Sequence, residues 1–177
     1  NLPAYQRGRF GLEATVFGSK QKISVEDAVN LIRGWAVQNI DVVAPKLKDD
    51  LEAACEGKLD FNEIEHAFVV EMFYATNAGL CHVLKNKTNA KIGDAVWEHL
   101  KLKLIEVDPS FAKAVGAYYG CFGIPFAPAQ QVLENIGLYE KLDEIMKQAY
   151  VATLYSSIIE LSAKPWENTL HKMKITL

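Results

Sequence analysis

Twenty consecutive residues, 114–133 (AVGAYYGCFGIPFAPAQQVL), carry no charged side chain, and glycines and prolines interrupt them in the middle. Such a stretch cannot coil into one helix, because Pro125 and Pro128 each remove a backbone donor and block the preceding turn. It is also too apolar to sit comfortably in water as a loop. Something must cover it, either the rest of the chain or another molecule. Aromatic side chains in an uncharged patch carry most of the energy of a contact. Tyr118, Tyr119, Phe122, Ile124 and Phe126 are therefore the candidate interface residues. Four aromatics around a Gly/Pro turn are also an ordinary way to build a core.

The run has the length of a membrane span, and Gly116 and Gly120 form the G-x-x-x-G spacing that packs helices in lipid. The helix stops before Pro125, however, so too little remains to cross a bilayer. No transmembrane segment is expected there.

The chain has 177 residues, half apolar and 23% charged, with a net charge of −3. That composition suits one compact domain with a core large enough to fold unaided. Nineteen Lys+Arg against 22 Asp+Glu argue against nucleic-acid binding by bulk electrostatics. Charge is segregated all the same. Residues 1–22 carry Arg7, Arg9, Lys20 and Lys22 against Glu13, residues 44–71 are acidic, and residues 85–103 hold five lysines. A basic arm and an acidic face on one chain favour head-to-tail association between copies.

Cys55, Cys81 and Cys121 stand among apolar neighbours without metal-ligand spacing, which reads as buried free thiols in a reducing intracellular compartment. One disulfide with one free thiol is the alternative. The first residue is Asn, which reads as a processed or trimmed chain.

Residues 1–22 show no helical period and are expected to form an extended arm, with one short strand at most near 13–17. From residue 23 the pattern is helical. Ser24 and Asp27 form a reciprocal capping pair, and Val25, Ala28, Val29, Ile32, Trp35 and Ala36 make a buried stripe. Pro45 suits the first turn of a separate helix over 46–56. Asp60 opens a long helix, 61–85, with Ile64, Ala67, Phe68, Met72, Ala75, Gly79 and His82 inward. Helices follow over 90–106, 109–119 (opened by Asp108-Pro109) and 128–136. A helix over 138–162, uncharged from Gln148 to Ile159, has the composition of a bundle's central strut. Pro165 ends it and starts a short last helix. The expected fold is all-α: one bundle of about eight helices over 23–177, with no strand beyond the arm.

Four histidines are the candidates for chemistry near neutral pH. Glu63 and His66 have the i,i+3 spacing of a carboxylate–imidazole pair, and they would be the acid and base of an enzyme. The pair occurs once, whereas a di-iron bundle uses two such pairs plus two further glutamates, so no metal site is assigned. No nucleophile motif and no phosphate-binding glycine loop is present.

His66, His82 and His99 recur on successive helical segments and are the candidate ligand-binding residues. Val107-Asp108-Pro109-Ser110-Phe111 resembles the turn after the haem-ligand helix of the globins, and Phe126-Ala127-Pro128-Ala129 resembles the start of their last helix. The resemblance implies haem, with His99 as axial ligand and His66 as distal residue. It covers two short motifs. His99 lies two residues too far from the Val-Asp-Pro run, and no phenylalanine occupies 47–51, so the family is not claimed.

The expected role is a non-enzymatic helical subunit docking onto another protein chain, identical or different, through its arm and residues 114–133. A viral coat or nucleocapsid subunit is one form of it, with Lys85, Lys87, Lys91, Lys101 and Lys103 along a groove. The alternative is a carrier with an apolar interhelical cavity for haem, a lipid or a pigment.

Overall fold

The computed structural model describes residues 20–54 and 61–177, with side chains at all of these except 52, 54 and 61–63. Residues 1–19 of the arm, Cys55, Asp60 and the side chain of Glu63 lie outside the described residues, while the end of the arm enters the first strand. The chain is a single, mostly helical bundle. Strand β1 (Gln21–Ser24) leads into α1 (Val25–Ala54), followed by α2 (Phe61–Lys87), α3 (Ala90–Val107), α4 (Pro109–Cys121), α5 (Ala127–Asn135) and α6 (Glu144–Asn168). Strand β2 (Met173–Thr176) closes the chain. Among the described residues there are six α-helices rather than about eight.

Two prolines account for the difference. Pro45 lies inside α1 and Pro165 inside α6. Each helix continues because the buried stripe stays in phase across the proline. Ala28, Ile32, Ala36, Ile40, Ala44, Leu47 and Leu51 are all buried, spaced three or four apart. Tyr150, Leu154, Ile158 and Leu161 lead in the same way to a buried Pro165. Tertiary burial along one continuous face offsets the lost hydrogen bond, which costs about 3 kcal/mol.

The start of the last long helix also differs. A single 3₁₀ turn spans Tyr139–Lys141, and Leu142 is extended. Asp143 then caps α6, accepting from the Met146 amide at 2.9 Å. The expectation of no strand beyond the arm is corrected too. β1 and β2 pair in parallel, Gln21 with Met173 through Ser24 with Thr176.

Two of the expected capping signals form, at Ser24 and at Asp108. Ser24 Oγ accepts from the Asp27 amide at 3.0 Å while Asp27 Oδ2 accepts from the Ser24 amide at 3.1 Å. Asp108 accepts from the Ser110 amide at 2.8 Å, with Pro109 at the first helical position. The central strut is α2, not α6. Every residue from Tyr74 to Cys81 is buried, so α2 is enclosed on all sides at its middle. The stretch Ile64–Lys87 is long and apolar enough to cross a membrane, but most of it is buried inside the bundle. That is the signature of a core helix.

Two glycines set how closely elements approach α2. A Cβ on Gly79 would stand 2.6 Å from Phe122 Cζ and overlap Ser162 Oγ. A Cβ on Gly93 would lie 2.7 Å from Lys85 Cα, so α3 meets α2 backbone to backbone there.

Candidate functional site

The uncharged run occupies the second half of α4, a tight turn and α5. The turn is fixed by two hydrogen bonds, Ile124 N to Cys121 O at 2.9 Å and Ala127 N to Ile124 O at 3.3 Å. Phe126 closes it with φ +67°, the left-handed region that side chains rarely adopt.

This geometry divides the five candidate interface residues. Tyr118 and Phe122 point into the chain's own core and are buried. Tyr118 Oη donates to Glu71 Oε2 at 2.5 Å, and Asn135 Nδ2 donates to the same oxygen at 2.8 Å. One carboxylate on α2 thus ties α4 to α5. Burial first, then the bond to Glu71 and its charge, raise the Tyr118 phenol well above its ordinary value. It stays protonated and remains the donor.

Tyr119 is half-buried and stacks on Trp97 of α3, rings 4.3 Å apart and 8° from parallel. Lys101 Nζ sits 5.5 Å from the centre of the Trp97 ring. Only Ile124 and Phe126 stand at the surface, 62% and 48% exposed. Phe126 meets Tyr155 of α6 at 5.0 Å between ring centres. Beside it lies an open hollow of about 410 Å³, whose lining includes Phe126, Tyr139, Val151 and Ala152 and the Glu144–Lys147 ion pair.

The hollow leads onto the outer face of α6. Ile145, Ala149, Ala152, Ser156 and Ile159 are all exposed, Ile145 by 82%. Their spacing is 4-3-4-3, the repeat of a seam between two packed helices. Neighbouring hydroxyls do not soften it. Thr153 Oγ1 donates to Ala149 O at 2.9 Å and Ser157 Oγ to Thr153 O at 3.1 Å, so both donors turn back onto their own helix. Sequence reasoning missed this seam by reading the uncharged helix as buried; the 3.5-residue spacing was there to find.

The three candidate ligand-binding histidines do not form one site. His66 and His82 lie on the same helix sixteen positions apart, about 24 Å at 1.5 Å per residue. His66 is exposed beside an apolar groove. His82 lies 5.6 Å from the Phe122 ring and 6.4 Å from the Tyr119 ring. Burial, then the charge of Lys85, pushes its imidazole below the ordinary 6.5. His99 is part-buried, and its Nε2 has no hydrogen-bond partner among the described residues. Among the described residues no three His, Cys, Asp or Glu side chains gather to hold a metal ion.

Three of the five lysines of 85–103 stand in ion pairs. Lys85 pairs with Asp94 at 2.7 Å, Lys101 with Glu98 at 2.6 Å, and Lys103 approaches Glu106 at 3.7 Å and Glu26 at 3.8 Å. Cys81 and Cys121 are free thiols. Burial pushes the Cys81 thiol up to about 12. Compared with family models, curated proteins and solved structures, the chain finds no match among any of the three.

Proposed function

We propose that this chain is a non-enzymatic subunit of a larger assembly, docking through its N-terminal arm and through the exposed part of 114–133. The observation that carries the reading is the surface running from Ile124 and Phe126 across the hollow to the α6 seam. A helix on the outside of a bundle ordinarily presents charges to water. This one presents isoleucine, alanine and serine at the spacing a second helix requires, and the partner is best read as another copy of the same chain. Tyr118, Tyr119 and Phe122 then serve as the scaffold that holds the turn, and Ile124 and Phe126 as the contacts.

The paired lysines weigh against the nucleocapsid form, since each ion pair removes a charge that a phosphate would need. The carrier alternative is weakened by the separation of His66 from His82 and by hollows that open to solvent.

Size-exclusion chromatography with light scattering tests the reading. The wild-type chain is expected to form oligomers that Ile124→Asp and Ala152→Glu convert to folded monomers. A wild-type chain that stays monomeric at high concentration would end it.

A further inference from the structure

A second apolar feature lies on a different face, between α1, α2 and α4. Val37, Val69, Phe73 and Phe111 wall a groove of about 480 Å³, with Asp41 and His66 at its rim. Val37 is half exposed, so the groove is open along one side. An open trough does not enclose a carried small molecule, which a binding pocket buries over most of its surface. It does suit a chain segment that brings one ring and one cation. Asp41 forms no ion pair among the described residues, and Asp49 and Asp50 are exposed further along α1.

Nineteen residues precede Lys20, and they contain Tyr5-Gln6-Arg7-Gly8-Arg9-Phe10, two rings flanking two arginines. Phe10 lies ten positions before Lys20 and Tyr5 fifteen, a span of about 35–50 Å when fully extended, which lets residues 5–10 reach beyond their own bundle. We propose that the α1/α2/α4 groove receives residues 5–10 of a neighbouring copy, an aromatic ring seated on the apolar walls and an arginine beside Asp41. The inference rests on the assembly reading above and names the acceptor for the arm. Its chemistry is that of a central hot spot: Tyr, Phe and Arg on one side, and an apolar trough with one free carboxylate on the other. Because donor and acceptor are different patches of one chain, the contact is head-to-tail, unlike a self-complementary α6 seam.

The test uses the full chain. One preparation carries Phe10→Cys and a second, isotopically heavy, carries Val37→Cys. Mixed and treated with a short bismaleimide, they should yield a heavy–light peptide joining positions 10 and 37. Val37→Lys changes an exposed residue and should leave the melting temperature unchanged while weakening association by about tenfold or more. Asp41→Arg should do the same, and Arg7→Asp with Arg9→Asp should restore it. A third preparation carries both cysteines on one chain: if it links 10 to 37 only within itself while the mixed preparations give no heavy–light peptide, or if oligomers are indifferent to Val37→Lys, the groove assignment is overturned and the α6 assembly stands. A wild-type monomer overturns both.

Discussion

Helices α2 and α6 have similar length and opposite fates. α2 carries Glu65, Glu71, His66 and Lys85, yet it is the helix enclosed by all the others. α6 has no charge from Gln148 to Ile159, yet it lies on the outside, and within that uncharged stretch only Tyr150, Leu154 and Ile158 are buried. Absence of charge therefore does not mark burial in this molecule. The charged groups of α2 sit at its ends or, like Glu71, receive donors from two other helices. Among the described residues nothing covers the uncharged outer face of α6, and this contrast is what the proposed assembly would explain.

The largest effect that would sharpen the contrast lies on α2. Gly79→Ala should destabilise the fold by about 1–3 kcal/mol, because the methyl would overlap Ser162 Oγ and the Phe122 ring and both buried side chains would have to shift. Chemical denaturation measures it, and a change below about 0.5 kcal/mol would mean that α2 is not tightly enclosed. Ala152→Glu on α6 should do the reverse, altering monomer stability by no more than about 0.5 kcal/mol while abolishing oligomers.

An intermediate effect is expected from Tyr118→Phe. It leaves Glu71 with Asn135 as its remaining donor and should cost about 1–2 kcal/mol. A neutral result would show that the carboxylate is solvated rather than a clamp.

Acid should act through His82. Its folded pKa is lowered, so the unfolded chain binds the proton more strongly, and the stability it contributes is lost as pH falls through 6.5 towards the lowered value. His82→Phe should flatten the fall in melting temperature between about pH 7 and 5. Parallel curves for the two proteins would show that the ring is free to ionise in place.

The smallest effect is chemical. Cys81, buried in α2, should resist iodoacetamide in the native protein at pH 8 while Cys121 reacts slowly. Rapid labelling of Cys81 would mean that α2 opens locally.

Much of the fold was legible because it is local. Ser24 with Asp27, and Asp108 with Pro109, announce helix starts by chemistry confined to three or four residues. The stripe on α1 followed from spacing: Ala28, Val29, Ile32 and Ala36 are buried, with Val25 and Trp35 partly so. Pro45 and Pro165 misled because a proline was weighed before the phase of the stripe around it. β2 was invisible, since four residues of Met-Lys-Ile-Thr become a strand only by meeting β1 at the far end of the chain. Gly116 and Gly120 drew notice through their spacing, yet a Cβ there would meet nothing closer than Trp97 at 4.0 Å. Gly79 and Gly93 hold the close approaches, and which glycine is crowded depends on a neighbouring helix that the local sequence does not contain. The run 114–133 was readable as the place to look. Which of its side chains faced outward was not, because the left-handed Phe126 sets the direction of the turn.

The parallel pairing of β1 with β2 joins residues far apart in the chain; Thr176 Oγ1 donates to Ile23 O at 3.1 Å across 153 positions. Closing so long a loop gains nothing until everything between has been placed. The pairing of β1 with β2 is therefore expected to form late in folding, once the helices have drawn its two strands together. Loss of Met173–Thr176 would leave Ile23 bare and the front of α1 unlatched.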